Sequence, residues 1–97
     1  MANGININPF RQTGSGQNLT IGAADVASSA IGSETFAVQL SATGNCHVAI
    51  GRAAVATDML VKATDPPIVI AARQGETIHV IQDASATGTL NVVELTH

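Results

Sequence analysis

The chain has no Trp and no Tyr, and Phe10 and Phe36 are its only phenyl side chains. A sugar site built on a stacking aromatic platform therefore has nothing to stand on. It has one cysteine, Cys46, so no internal disulfide can form and stability must come from packing or from partner subunits. Charge is scarce as well: only 11% of residues are charged, against about 25% in an ordinary globular domain. The four basic residues, Arg11, Arg52, Lys62 and Arg73, are scattered singly in a chain of net charge −3, which leaves no basic stripe to neutralise phosphates and argues against a nucleic-acid partner. No apolar run approaches the ~20 residues of a membrane span, and Met1-Ala2-Asn3-Gly4 shows neither the basic start nor the apolar run of a signal peptide. The expectation is a protein without a membrane partner, made and kept in the cytoplasm until assembled.

What is present is small and branched. The 97 residues include 16 Ala, 9 Val and 9 Ile, which supply most of the 45% apolar content. A chain of ~100 residues forms one core and buries about two thirds of its unfolded surface, so a second catalytic lobe has no room. Low net charge with abundant Val and Ile argues against disorder, and enrichment in Val, Ile and Thr favours β structure.

Residues 1–17, MANGININPFRQTGSGQ, are rich in Asn and Gln and broken by Gly4, Pro9, Gly14 and Gly16. They read as an extended N-terminal arm without a core of its own, preceding a domain over 18–97. Ile5, Ile7 and Phe10 punctuate the arm with apolar side chains, the pattern of a segment that docks on a partner as an added strand. The alternative is a disordered terminus with incidental apolar residues.

Beyond residue 17 the chain is a series of short strand signals separated by turn residues, with no helix of convincing length. Residues 18–22 alternate Leu19 and Ile21, while 23–31 is an Ala/Ser-rich stretch compatible with strand or loop. Residues 34–42 place Phe36, Val38 and Leu40 on one face, and after Thr43-Gly44-Asn45 the residues Cys46, Val48 and Ile50 alternate with His47 and Ala49. A hairpin is expected to join these two strands. Residues 58–62, 68–72, 77–82 and 89–95 complete the set, with Asp65-Pro66-Pro67 forcing an extended kink. The prediction is an all-β chain: an antiparallel β-sandwich or jelly roll of about seven or eight short strands. Phe36, Val38, Leu40, Val48, Ile50, Ile78, Val80, Leu90 and Val92 are expected to point inward.

Catalytic, cofactor and metal sites are not predicted. Cys46 and His47 are adjacent, but neighbours on a strand face opposite ways, so a buried Cys46 and an outward His47 are expected rather than a nucleophile with its base. His47, His79 and His97 lack zinc-site spacing, and the aspartates lie at strand ends, where they accept backbone hydrogen bonds in turns. The glycines match no phosphate-binding loop. Association remains: small side chains permit close approach of backbones, and weak contacts become firm when symmetry or a gripping arm repeats them.

The stretch Cys46 to His97 carries a resemblance. Val48-Ala49-Ile50-Gly51, the Ala56-Thr57-Asp58-Met59 loop, the strand from Gly75 to Ile81 and the closing Gly88 to Val92 strand together resemble small virion proteins of tailed bacteriophages. The likeness covers about half the chain and is a pattern of strands and turns, not a catalytic signature. It implies a non-enzymatic β-sandwich component of the particle, a capsid decoration or cement protein. Such a protein would bind the major capsid protein and itself as a homo-oligomer, expected to be a trimer, on the capsid surface of the virion after assembly in the host cytoplasm. A head-tail or tail accessory component and a receptor-binding or carbohydrate-binding module are the alternatives.

Overall fold

A computed structural model describes residues 11–96. Among them there is no helix, and nine strands form two antiparallel sheets: β1 (Arg11–Gln12), β2 (Gln17–Ile21), β3 (Val26–Ala27), β4 (Ala37–Ala42), β5 (Cys46–Ile50), β6 (Met59–Val61), β7 (Ile68–Ala71), β8 (Ile78–Gln82) and β9 (Gly88–Thr96). The first sheet runs β2-β9-β4-β7, with β1 beside β2 along the same edge of β9, and the second runs β3-β8-β5-β6. The pairings nest: β5 with β6, β4 with β7, β3 with β8 and β2 with β9. That is one long antiparallel hairpin rolled up on itself, the wrap of an eight-strand jelly roll, and it realises the all-β expectation.

Alternation builds the core. In β4 the side chains of Val38 and Leu40 point inward, and in β9 those of Leu90 and Val92 do, all with essentially no exposure. Cys46 and Val48 of β5, Val61 of β6, and Ile78 and Val80 of β8 face them from the second sheet, and Leu19 and Ile21 of β2 close the layer. These side chains are short, which suits two sheets that pack about 10 Å apart.

The structure amends four readings of the sequence. The turn at 43–45 joins no hairpin, because β4 belongs to one sheet and β5 to the other; two alternating strands around a tight turn look the same in sequence whether the chain folds back within a sheet or arches over to its partner. Phe36 lies one residue ahead of β4 and is half-buried, so the fully enclosed positions of this segment are Val38 and Leu40. The strand count rises to nine because β1 and β3, of two residues each, are too short to show a period.

The fourth concerns the arm, whose boundary at residue 17 falls within the sheet. Gln17 opens β2 opposite Val92, and Arg11 and Gln12 pair with Thr96 and Leu95. From Arg11 to Gln17 the chain takes 17 − 11 = 6 steps while β9 takes 96 − 92 = 4. The two extra residues bulge out around Gly14-Ser15-Gly16, where Gly14 adopts φ +73°. Ile5, Ile7 and Phe10 lie outside the described residues.

Candidate functional site: two histidine–aspartate pairs on the second sheet

The connection 51–58 between β5 and β6 folds over the outer face of the second sheet. Gly51 leaves β5 at φ +76° and donates its N–H to the Thr77 carbonyl at 2.8 Å. Asp58 then organises the turn: its carboxylate accepts from the Val55 N–H at 2.8 Å and forms a two-pronged ion pair with Arg52. Arg52, and after it the Val55 amide, holds the Asp58 carboxyl at about 2. The Ala54 N–H donates to Asp25 Oδ1 at 2.8 Å, and Ala54 is the buried residue of the segment.

His47 sits under this cover. It points away from Cys46, as strand alternation requires, yet it is buried rather than solvent-facing, because the 51–58 segment and the residues after β8 close over it. Its Nδ1 lies 2.9 Å from the Asp58 carbonyl oxygen and its Nε2 2.9 Å from Asp83 Oδ1. Both neighbours are acceptors, so only the imidazolium, with two N–H donors, satisfies them at once. The Asp58 carbonyl, followed by the Asp83 carboxylate, raises the His47 pKa above its ordinary value despite burial. On the opposite face, burial and then the Asp83 charge push the Cys46 thiol up to about 11, which removes thiolate reactivity.

His79, on β8, makes a second pair. Its Nδ1 lies 2.8 Å from Asp25 Oδ2 and its Nε2 2.8 Å from Thr77 Oγ1. The Nδ1–H tautomer satisfies both, donating to the carboxylate and accepting from the hydroxyl. Burial alone would raise the Asp25 carboxyl, but the Ala54 amide and His79 outweigh it and hold it below its ordinary value. Carboxylate, imidazole and hydroxyl in line have the order of a nucleophilic triad. Among the described residues, however, there is no cavity beside them to seat a substrate, and no three His, Cys, Asp or Glu side chains are grouped to hold a metal ion. What this geometry accomplishes in the structure is attachment: Asp25 ties the β2-β3 connection to the 51–58 segment on one oxygen and to β8 on the other.

The sequence assigns no site to His47 or His79, and it does not show their partners either. Asp83 lies two residues beyond Ile81, on the His47-facing side of β8, but that relation needs the β5-β8 register, in which His47 faces Ile81. Asp25 is 54 residues from His79 and no local signal links them. Replacing Asp25 by alanine should leave the Ala54 N–H without its acceptor and lower stability by about 1–3 kcal/mol. Urea unfolding of the variant, with an unchanged slope and a lower midpoint, is the measurement.

Comparison with protein families, with curated proteins and with solved structures finds no match.

Proposed function

We propose that this chain is a structural virion protein that binds and stabilises a phage capsid shell, as a decoration or cement protein, with the major capsid protein and further copies of itself as partners. The observation that carries the reading is the contrast between the two faces of the jelly roll. On the first sheet β2, β4 and β7 carry no charged residue at all, and the sheet's only charges among the described residues are Arg11 of β1 and the half-buried Glu94, both toward one end of β9. Asn18 and Thr20 of β2 pair with Asn91 and Thr89 of β9, Ser41 of β4 faces Asn91 from the other side, and Val69 stands exposed on the edge strand β7. Around the second sheet stand Asp25, Arg52, Asp58 and Asp83.

A face of amides, hydroxyls and small apolar groups suits contact by area. Negatively charged copies, or a charged shell, approach it with no like-charge contact and no buried ion to desolvate. The fold adds support by analogy only, since jelly rolls recur in viral capsids but also in lectins and other proteins. The resemblance of residues 46–97 to small tailed-phage virion proteins points the same way. The arm residues Ile5, Ile7 and Phe10 would add a second, linked contact, which multiplies occupancy without a larger face.

The test places charge on the face. Thr20→Lys with Val69→Lys changes two exposed side chains and should leave the melting temperature nearly unchanged. The amount of protein co-sedimenting with assembled particles should fall sharply. Wild-type occupancy in the doubly substituted protein would exclude the first-sheet face as the contact.

A further inference from the structure

The 51–58 segment is fastened to the second sheet at three points of different chemistry. Two do not involve a group that titrates near neutrality: the Gly51 N–H to the Thr77 carbonyl, and the Ala54 N–H to the Asp25 carboxylate. The third is the Asp58 carbonyl on His47. It depends on a proton.

Consider what each form of the ring can do. The imidazolium donates from Nδ1 to the Asp58 carbonyl and from Nε2 to the Asp83 carboxylate. A neutral ring has one N–H to give. Given to Asp58, it would leave the Nε2 lone pair against a carboxylate; given to Asp83, it leaves the Nδ1 lone pair against a carbonyl. The second arrangement is better, because the charge-assisted bond is kept and the weaker repulsion accepted. Loss of the proton therefore falls on the Asp58 contact.

We propose that His47 is a protonation-controlled latch: as an imidazolium it holds the 51–58 segment down on the second sheet, and on losing its proton it releases the Asp58 carbonyl while keeping Asp83. The charged neighbours all favour the closed form. Asp83 contacts the ring directly, and the Asp58 carboxylate, already paired with Arg52, adds attraction from the segment itself. Directly across the strands stand Leu60 of β6 and Ile81 of β8, and the nearby His79 is occupied by Asp25 and Thr77. Cys46 on the same strand points into the core as a thiol.

The direction follows by linkage. The folded-state pKa of His47 is raised, so its contribution to stability is fully present below the unfolded value and is lost as pH rises through the folded value. That window opens at the ordinary histidine value and extends upward from it. The segment it governs leads directly into Met59 and Leu60 and carries Val55, all three exposed apolar side chains. Their presentation thus changes with the state of one buried ring, whatever partner the protein has.

The experiment follows two observables in the intact chain: the His47 ring by proton NMR, and amide hydrogen exchange over residues 53–60 corrected for the intrinsic pH dependence of exchange. Protection of the segment should fall severalfold as pH rises, with a midpoint that coincides with the ring titration, while the amides of Val48 and Val80 keep theirs. Asp83→Asn removes the carboxylate but leaves an acceptor of similar shape, so both midpoints should move together to lower pH. Segment protection that is constant across the His47 titration, or a protection midpoint that stays in place when Asp83→Asn shifts the ring, would overturn the latch. Should Asp83→Asn unfold, the wild-type comparison of the two midpoints decides alone.

Discussion

Leu40→Ala should destabilise the protein by about 2–5 kcal/mol, a large share of the roughly 5–15 kcal/mol that holds a domain folded. Leu40 has no exposed surface and lies at the centre of the first sheet's inner layer, with Val92 on one side and Ile68 on the other. Truncation removes its buried methyl groups and leaves a cavity. The neighbours are too short and too branched to collapse into it, so relaxation recovers little. Phe36→Ala removes a larger side chain but from a half-buried position at the end of the strand, and should cost less than Leu40→Ala. Urea unfolding of the two variants side by side checks the ordering. A larger loss for Phe36 would mean that the inner face of β4 is displaced toward its start.

Gly44→Ala should be at least as damaging, costing about 3 kcal/mol or more. A β-carbon at Gly44 would stand 2.1 Å from the Thr87 carbonyl oxygen and 2.8 Å from its carbon, and both belong to backbone that cannot swing aside. The approach is reciprocal. Gly88 adopts φ +148°, and a β-carbon there would lie 2.8 Å from the Gly44 nitrogen. Hydrogen bonds clamp the contact, since the Thr43 N–H donates to the Thr89 carbonyl at 2.9 Å and the Thr89 N–H to Thr43 Oγ1 at 2.8 Å. The arch from β4 to β5 is thereby pinned to the start of β9, and an added methyl group pries the two sheets apart at one end. Gly22→Ala serves as the control: nothing lies within 4 Å and no positive φ is needed, so its melting temperature should stay near the wild-type value. A well-folded Gly44→Ala with an unchanged melting temperature would mean that the arch does not approach β9 as closely as described.

The core strands were legible because period-two alternation is strict where one face is buried. Val38, Leu40, Val48, Ile78, Val80, Leu90 and Val92 are all among the buried residues, and Ile50 packs against them. Sheet membership was not legible. Which strand lies beside which is decided by pairings such as Leu19 with Leu90, far apart in sequence, and a turn like 43–45 carries no mark of whether it stays within a sheet. The same non-locality hid the site. His47 and His79 stood out as residue types, but their partners Asp58, Asp83 and Asp25 are delivered by the roll-up from three other connections. Cys46 facing the core and His47 facing the other way followed from alternation alone; that the other side was roofed by 51–58 did not, since a stretch of Ala and Thr has no periodicity to announce it.

The reading of function rests on one face, and imaging the intact particle tests it most directly. A reconstruction of the shell should show copies of this jelly roll on its outer surface with β2, β9, β4 and β7 turned toward the major capsid protein or toward neighbouring copies, and with the 51–58 segment facing solvent. Density for the protein that sits elsewhere in the particle, or that contacts the shell through the charged surroundings of β8 and β5, would contradict it.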